Sequence, residues 1–176
     1  MPDRAPVVIR IRHIHEADLD SLNRLQVLAY GHDFLEAPDV ILDKIKQGKE
    51  TSFVAEKTLH GYSSLVGYCL SHAYKPQQVP PLNSLLNSAQ LTSSHHWYIH
   101  DLSLDPDARG QGIAQALLDA VYAEKAVQHC QTIALVAVQN SVPFWQKQGF
   151  VVAEEQPKMS SYGEDARYMV KLLALD

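Results

Sequence analysis

The stretch DPDARGQGIAQALL, residues 105–118, decides how this 176-residue chain is read. Asp105-Pro106-Asp107 favours a turn, and an apolar helical pattern begins directly after Arg109-Gly110-Gln111-Gly112. Backbone N–H groups at a helix start are unpaired and lie at the positive end of the helix dipole. Glycines let an anion approach that backbone with no Cβ in the way. The residues therefore read as a phosphate cradle, or else as a glycine turn needed only for chain reversal. A P-loop would place Lys-Ser or Lys-Thr after its last glycine, and neither follows here. A dinucleotide fingerprint would need a third small residue where Gln115 stands, and it would follow the first strand of the chain. Neither mononucleotide nor nicotinamide binding is favoured.

Working outward, HHWYIHDLSL (95–104) precedes the turn and reads as a strand, and a helix is expected from about Gly112 to Val127. Upstream, VVIRIRHI (7–14) is a first strand. A helix follows with Leu19, Leu22, Leu25 and Leu28 near one stripe and Gly31 as its stop. A second helix starts after Pro38, with Val40, Ile41 and Ile45 apolar. Thr51–Thr58 and Ser64–Tyr74 read as strands of an antiparallel hairpin around Gly61. Residues 75–96 interrupt the pattern with three prolines and many polar residues, although PLNSLL could form one helical turn; this is a functional loop or a tolerated insertion. Downstream, TIALVAV (132–138) suits a strand covered on both faces. VPFWQKQ is a short helix closed by Gly149, and FVVAEEQ and ARYMVKLL are the last strands. The expected architecture is one mixed α/β domain over 1–176, with helices covering a sheet.

Composition narrows the function. The length suits one domain of roughly 100–200 residues, and 46% apolar with 20% charged residues is ordinary for a globular protein. A net charge of -5 with no basic cluster argues against a nucleic-acid substrate. Cys69 and Cys130 have no metal-ligand or redox spacing and read as buried reduced thiols. No secretory h-region opens the sequence, and the longest apolar run, Ile133–Val138, is far below the roughly 20 residues of a membrane span. No membrane association and a cytoplasmic location are expected.

Arg109, Gly112 and Ala114, with Gly110 and Gln111 between them, resemble motif A of the GNAT superfamily of acyl-CoA-dependent N-acetyltransferases, which reads Arg/Gln-x-x-Gly-x-Gly/Ala. VPFWQKQGF (142–150) is similar to the family's hydrophobic–aromatic–x–x–x–Gly–Phe segment, and the element order matches over essentially the whole chain. The resemblance implies a central, mostly antiparallel sheet of about seven strands, a splayed parallel pair at strands 4 and 5, and about four flanking helices. It implies that the amides of Arg109, Gly110, Gln111, Gly112, Ile113 and Ala114 hold the pyrophosphate of acetyl-CoA. Leu102, Ser103 and Leu104 would pair with its pantetheine arm like an added strand, Asn140 would reach that arm, and Phe144 would pack near it. No metal is implied, and dimerisation, common in the family, leaves a homodimer open.

The implied reaction is direct transfer of an acetyl group to a primary amine of a small molecule or peptide, with no covalent enzyme intermediate. A base must take a proton from the amine, and an acid can protonate the thiolate. Strict strand alternation would put His96, Tyr98, His100 and Leu102 on one face and Asp101, read as structural, on the other. By the resemblance, arylalkylamine acetyltransferases carry a histidine at the position of His100, and histone-type members a glutamate at that of His96. His100 is the expected base, since imidazole titrates near pH 7, and Tyr98 an acid or orienting group. The family's usual thiolate acid is a tyrosine where this chain has Trp145. Indole is no useful proton donor, which leaves open an acyl-CoA-binding module without transfer activity. A transferase of longer acyl groups is a further alternative. Residues 75–96 and the first two helices are expected to wall the acceptor site.

Overall fold

A computed structural model describes residues 6–86, 89, 91 and 95–174. Strand β1 (Val8–His13) leads through a short 3-10 turn (Glu16–Asp18) into α1 (Leu19–Tyr30) and α2 (Pro38–Gly48). β2 (Phe53–Leu59), β3 (Tyr62–Ala73) and β4 (His96–Leu104) follow. Then come α3 (Ile113–Ala123), α4 (Lys125–Gln128), β5 (Thr132–Ala137), α5 (Val142–Lys147), β6 (Val151–Val152) and β7 (Arg167–Leu172). The strands form one mixed seven-stranded sheet in the order β1-β2-β3-β4-β5-β7-β6, antiparallel except at β4–β5.

Each face of the sheet is closed by an amphipathic set of helices. On one, Leu22 and Leu25 of α1 and Ile41 and Ile45 of α2 pack on Val54, Tyr68 and Leu70. On the other, Ile113, Leu117, Leu118 and Val121 of α3 pack on Phe53, Cys69, Ile99 and Leu135, with Trp145 of α5 and Phe150 beside them. Both cysteines are buried and outside any disulfide. No described helix is long and apolar enough to cross a membrane.

Several sequence expectations change in detail, each for a local reason. The buried stripe of α1 runs through Leu22, Leu25 and Gln26, while Leu28 is 45% exposed. The helix expected to reach Val127 breaks at Glu124, whose backbone is extended and whose carboxylate pairs with His13 at 2.9 Å. The described residues hold five α-helices, against the about four expected. Residues 81–86 make a turn rather than a helix, with Ser84 Oγ donating to the Pro81 carbonyl. The strand expected from Phe150 to Gln156 shortens to Val151–Val152, because the Gln156 side chain takes over the neighbouring ladder. Its Oε1 accepts from the Tyr168 N–H at 2.7 Å and its Nε2 donates to the Tyr168 carbonyl at 3.1 Å.

α2 lies close to the sheet, which matters because it carries Lys44 under the site. The contact requires a glycine at the helix end: a Cβ on Gly48 would stand 2.1 Å from the Ser71 carbonyl oxygen and 2.9 Å from Ser52 Oγ. Gly48→Ala must push α2 off β3. The expected loss is about 1–3 kcal/mol of stability, typical of overpacking, read as a lower urea midpoint with an unchanged m-value.

Candidate active site

β4 and β5 pair only from His96–Thr132 to Ile99–Leu135. Beyond that point β4 stays paired with β3 through Leu104, and β5 stays paired with β7 through Ala137. The two strands therefore diverge, and a cleft of about 530 Å³ opens through the sheet. One end is lined by Arg109, Gly110, Ala114 and Phe144, the other by Phe34, Glu36, Leu82 and Tyr162. The cleft thus communicates with both helical layers.

At the first end, β4 runs through Leu102–Leu104 along the cleft wall with its β5-facing edge unpaired. The turn after it holds Gly110 at φ 73 and Gly112 at φ 77, the left-handed region that favours glycine. Gly112 caps α3 without a side chain, so the first-turn N–H groups gain no cap from it. A Cβ at Gly110 or Gly112 would meet nothing within 4 Å. The glycines therefore keep an open concavity at a helix N-terminus, the geometry that accepts an anion. Of the residues expected to bind the donor, Leu102, Ser103, Leu104, Arg109, Gly110, Ala114 and Phe144 line the cleft. Gln111, Gly112 and Ile113 continue the same turn without lining it, and Asn140 stands at its rim with φ 58 between the lining residues Gln139 and Ser141. Trp145 lines the cleft as an aromatic wall, edge-on to Phe144 and Phe150 with ring centroids 5.0 and 5.4 Å away.

The middle of the cleft carries a correction to the alternation argument. β3 and β4 pair Leu70 with Asp101 but Ser71 with Ile99, so His100 is an extra residue, a β-bulge. The bulge flips the parity of the strand. Asp101 faces the α1–α2 layer together with His100, and Leu102 faces the α3 layer with Ile99. The half-buried Asp101 carboxylate accepts from the hydroxyls of Tyr30 and Tyr68 and, at 2.9 Å, from Ser103 Oγ. Burial raises its pKa, and the hydroxyl donors partly oppose that.

His100 reaches across to the loop between α1 and α2. Its Nε2 lies 2.5 Å from Glu36 Oε1, both side chains being almost fully buried. Glu36 Oε2 accepts from Lys44 Nζ at 3.0 Å and from the Asn83 N–H at 2.9 Å. Burial acts to raise the Glu36 pKa, but the charges and hydrogen bonds of His100 and Lys44 outweigh it and bring it down to about 2. An ionised carboxylate only accepts, so Nε2 carries a proton, and in the tautomer that has lost the other proton the lone pair lies on Nδ1. Nδ1 is buried and makes no hydrogen bond among the described residues. Gln26 fixes Glu36 from behind, pairing both its backbone N–H and its carbonyl, at 3.0 and 2.9 Å.

The sequence reading missed Glu36, Lys44 and Gln26. A signal existed for two of them: Lys44 falls on the buried stripe Val40, Ile41, Ile45, Gly48 of α2, and Gln26 on that of α1. A polar residue on an apolar stripe is buried and needs a partner. Tyr98, expected beside His100, does not line the cleft. It packs with Tyr74, Ala134 and Tyr168 and borders a separate small cavity. His96 borders that cavity too, with Nδ1 hydrogen-bonded to the Thr132 hydroxyl. Part of the expected acceptor wall, residues 87, 88, 90 and 92–94, lies outside the described residues.

The model of the acetyltransferase (GNAT) family matches residues 19–150. No curated protein sequence matches the chain. Among solved structures, the fold is similar to Ard1 from Thermoplasma volcanium, with a TM-score of 0.69 and 20% identity over 94% of this chain and 98% of that one. It is similar to the GphF GNAT-like decarboxylase in complex with isobutyryl-CoA, with a TM-score of 0.71 and 16% identity over 94% and 100%. It also resembles a chain of the NatC complex bound to Gag peptide and CoA, with a TM-score of 0.67 and 19% identity over 94% and 99%.

His72 stacks beside His100 with ring centroids 6.1 Å apart, and donates from Nδ1 to the Ala73 carbonyl. Burial first, and then the charge of His100, push its pKa down to about 3. The unfolded chain takes up a proton at His72 near the ordinary imidazole value of 6.5 and the folded chain does not. Its contribution to stability is therefore complete above pH 6.5 and shrinks as the pH falls toward 3. Glu36 adds a loss of the same sign between 4.5 and about 2. The Tm should fall as the pH drops below 6.5, by at most about 1.4 kcal/mol per pH unit from this group, equivalent to ~2–4 °C per kcal/mol. His72→Gln should flatten the part of the decline above pH 4.5, where Glu36 contributes nothing; thermal melts across the pH range read both.

Proposed function

Since the chain belongs to the GNAT acetyltransferase family, we propose that it transfers an acetyl group from acetyl-CoA to a primary amine by direct attack. One observation carries this reading: the β4–β5 divergence joins an anion-accepting glycine turn to a cleft-lining histidine held by the Glu36 carboxylate. The pyrophosphate would sit on the turn from Arg109 to Ala114. The pantetheine arm would lie along the unpaired edge of Leu102–Leu104 and bring the thioester to the neck of the cleft between β4 and β5. Neck-lining amides of the diverging strands would polarise the thioester carbonyl.

The amine approaches from the opposite end. Its nitrogen bonds to the carbonyl carbon, the carbon–sulfur bond breaks, and CoA leaves as thiolate. The amine proton passes to His100, which lines the cleft beside Glu36, and from there to the thiolate, so the base is regenerated. Glu36 holds the ring with its proton on Nε2, and the charge that develops on the imidazole is stabilised by that carboxylate. Lys44 keeps Glu36 ionised inside the protein. Trp145 does not protonate the thiolate, and His100 serves in place of the family's tyrosine. Tyr98 acts on the packing behind His100, with ring centroids 6.3 Å apart, rather than on the substrate.

Thermal shift with acetyl-CoA and release of free CoA thiol in the presence of amines separate donor binding from transfer. His100→Gln should keep the acetyl-CoA shift and lower kcat by about 10²–10⁴-fold, the usual size of a general-base contribution. Gly112→Leu should lose the shift while far-UV CD stays native. A shift without thiol release by the unaltered chain, whatever the amine, would make it an acyl-CoA-binding module instead.

A further inference from the structure

We infer that the acceptor is a compact primary amine with an apolar body, and that residues 76–86 exclude polypeptide substrates; this rests on the transferase reading above. Three loops meet at the end of the cleft away from the glycine turn. Residues 31–37 bring Phe34 and Glu36, residues 160–162 bring Tyr162, and residues 76–86 run between them and contribute Leu82.

The middle segment is tied to both neighbours. Toward α1–α2, the Asn83 N–H donates to Glu36 Oε2 at 2.9 Å and its side-chain carbonyl accepts from the Ala37 N–H at 2.7 Å. Lys44 Nζ donates to the Ser84 carbonyl at 3.0 Å, and the Leu86 N–H donates to Asp43 at 2.8 Å. Toward the other side, the Leu82 N–H donates to Ser161 Oγ at 3.0 Å and the Tyr162 hydroxyl donates to the Pro80 carbonyl at 2.8 Å. The Gln77 N–H donates to the Tyr168 hydroxyl at 3.2 Å. These seven bonds make the segment a strap across the acceptor end.

A peptide acceptor places only its terminal amine at the thioester. Its following residues must leave the site, at about 3.3–3.6 Å per extended residue. At the acceptor end the strap is bonded to Glu36 and Ala37 on one side and to Ser161 and Tyr162 on the other, so a chain leaving between those loops would meet it. The cleft of about 530 Å³ must also hold the thioester and the end of the pantetheine arm, so the space left suits a small molecule.

The lining supplies the rest of the specificity. Glu36 and Asp101 are the carboxylates of the cleft wall, and Lys44 sits behind Glu36 outside the lining, so carboxylate rather than ammonium groups face the acceptor. That field favours an ammonium and disfavours an acidic acceptor. Tyr30 and Phe34, edge-to-face at 5.8 Å, and Tyr162 give an aromatic wall for the body of the amine.

The test uses the full chain with acetyl-CoA and two acceptor panels, reading thiol release and product mass. One panel holds alkyl- and arylalkylamines, the other peptides of four or more residues with free N-termini and lysines. The best small amine should exceed the best peptide in kcat/KM by at least about 100-fold, a ratio that exclusion rather than loss of one contact supplies. A loosened strap, Asn83→Ala with Ser161→Ala, should narrow that ratio at least about tenfold with the acetyl-CoA thermal shift retained. A smaller starting ratio overturns the inference and leaves the transferase reading standing. A ratio unmoved in the loosened variant overturns the strap as its cause. Thiol release with neither panel, with the acetyl-CoA shift intact, overturns both readings together.

Discussion

The rest of the site depends on the point where β4 and β5 stop pairing. A parallel ladder satisfies backbone groups on both strands, so ending it after Ile99 and Leu135 leaves N–H and C=O groups facing a gap. In a packed interior such groups must find partners, and a cleft lined by an unpaired strand edge is a place for an extended ligand to supply them. The remaining ladders, β3 on one side and β7 on the other, hold the two strands rigid while they separate. The divergence therefore costs no loss of order, and the glycine turn that follows β4 is held at the mouth of the gap.

The β-bulge at His100 is the second constraint, and it acts on chemistry. By inserting one residue opposite β3, it turns both His100 and Asp101 toward α1 and α2. An unbroken strand would have separated them. The result is two carboxylates in one wall, each treated differently. Glu36 is pinned by a lysine, a histidine and a backbone amide and is held ionised. Asp101 is surrounded by hydroxyl donors and has its pKa raised by burial. A buried pair such as Glu36–Lys44 is weak evidence of stability, because desolvation offsets much of the attraction. Its place behind His100 makes better sense as a means of holding one ring orientation.

Much of the architecture was legible in the chain. Period-two and helical patterns placed the strands and most helices, because each element must bury one face. The glycines at 110 and 112 marked the turn at one end of the cleft, because left-handed backbone tolerates few residue types there. Element ends were less legible. Glu124 breaks a helix that the apolar pattern would continue, and Gln156 replaces a ladder with its own amide; both depend on partners far away in sequence, His13 and Tyr168.

By itself, then, the sequence determined the element order and the glycine turn, since these follow from periodicity and local backbone freedom, while the mixed sheet was implied by the family resemblance. Only the tertiary structure decided which side chains face one another across the cleft. Alternation predicted Asp101 away from His100, and a single unpaired residue in β4 reversed it, because a shift of one residue exchanges the faces of a strand. Glu36 and Lys44 are eight residues apart in the chain, while His100 lies sixty-four beyond Glu36. No local pattern encodes that meeting, which exists because α2 packs closely enough on the sheet to bring a buried carboxylate to the bulge.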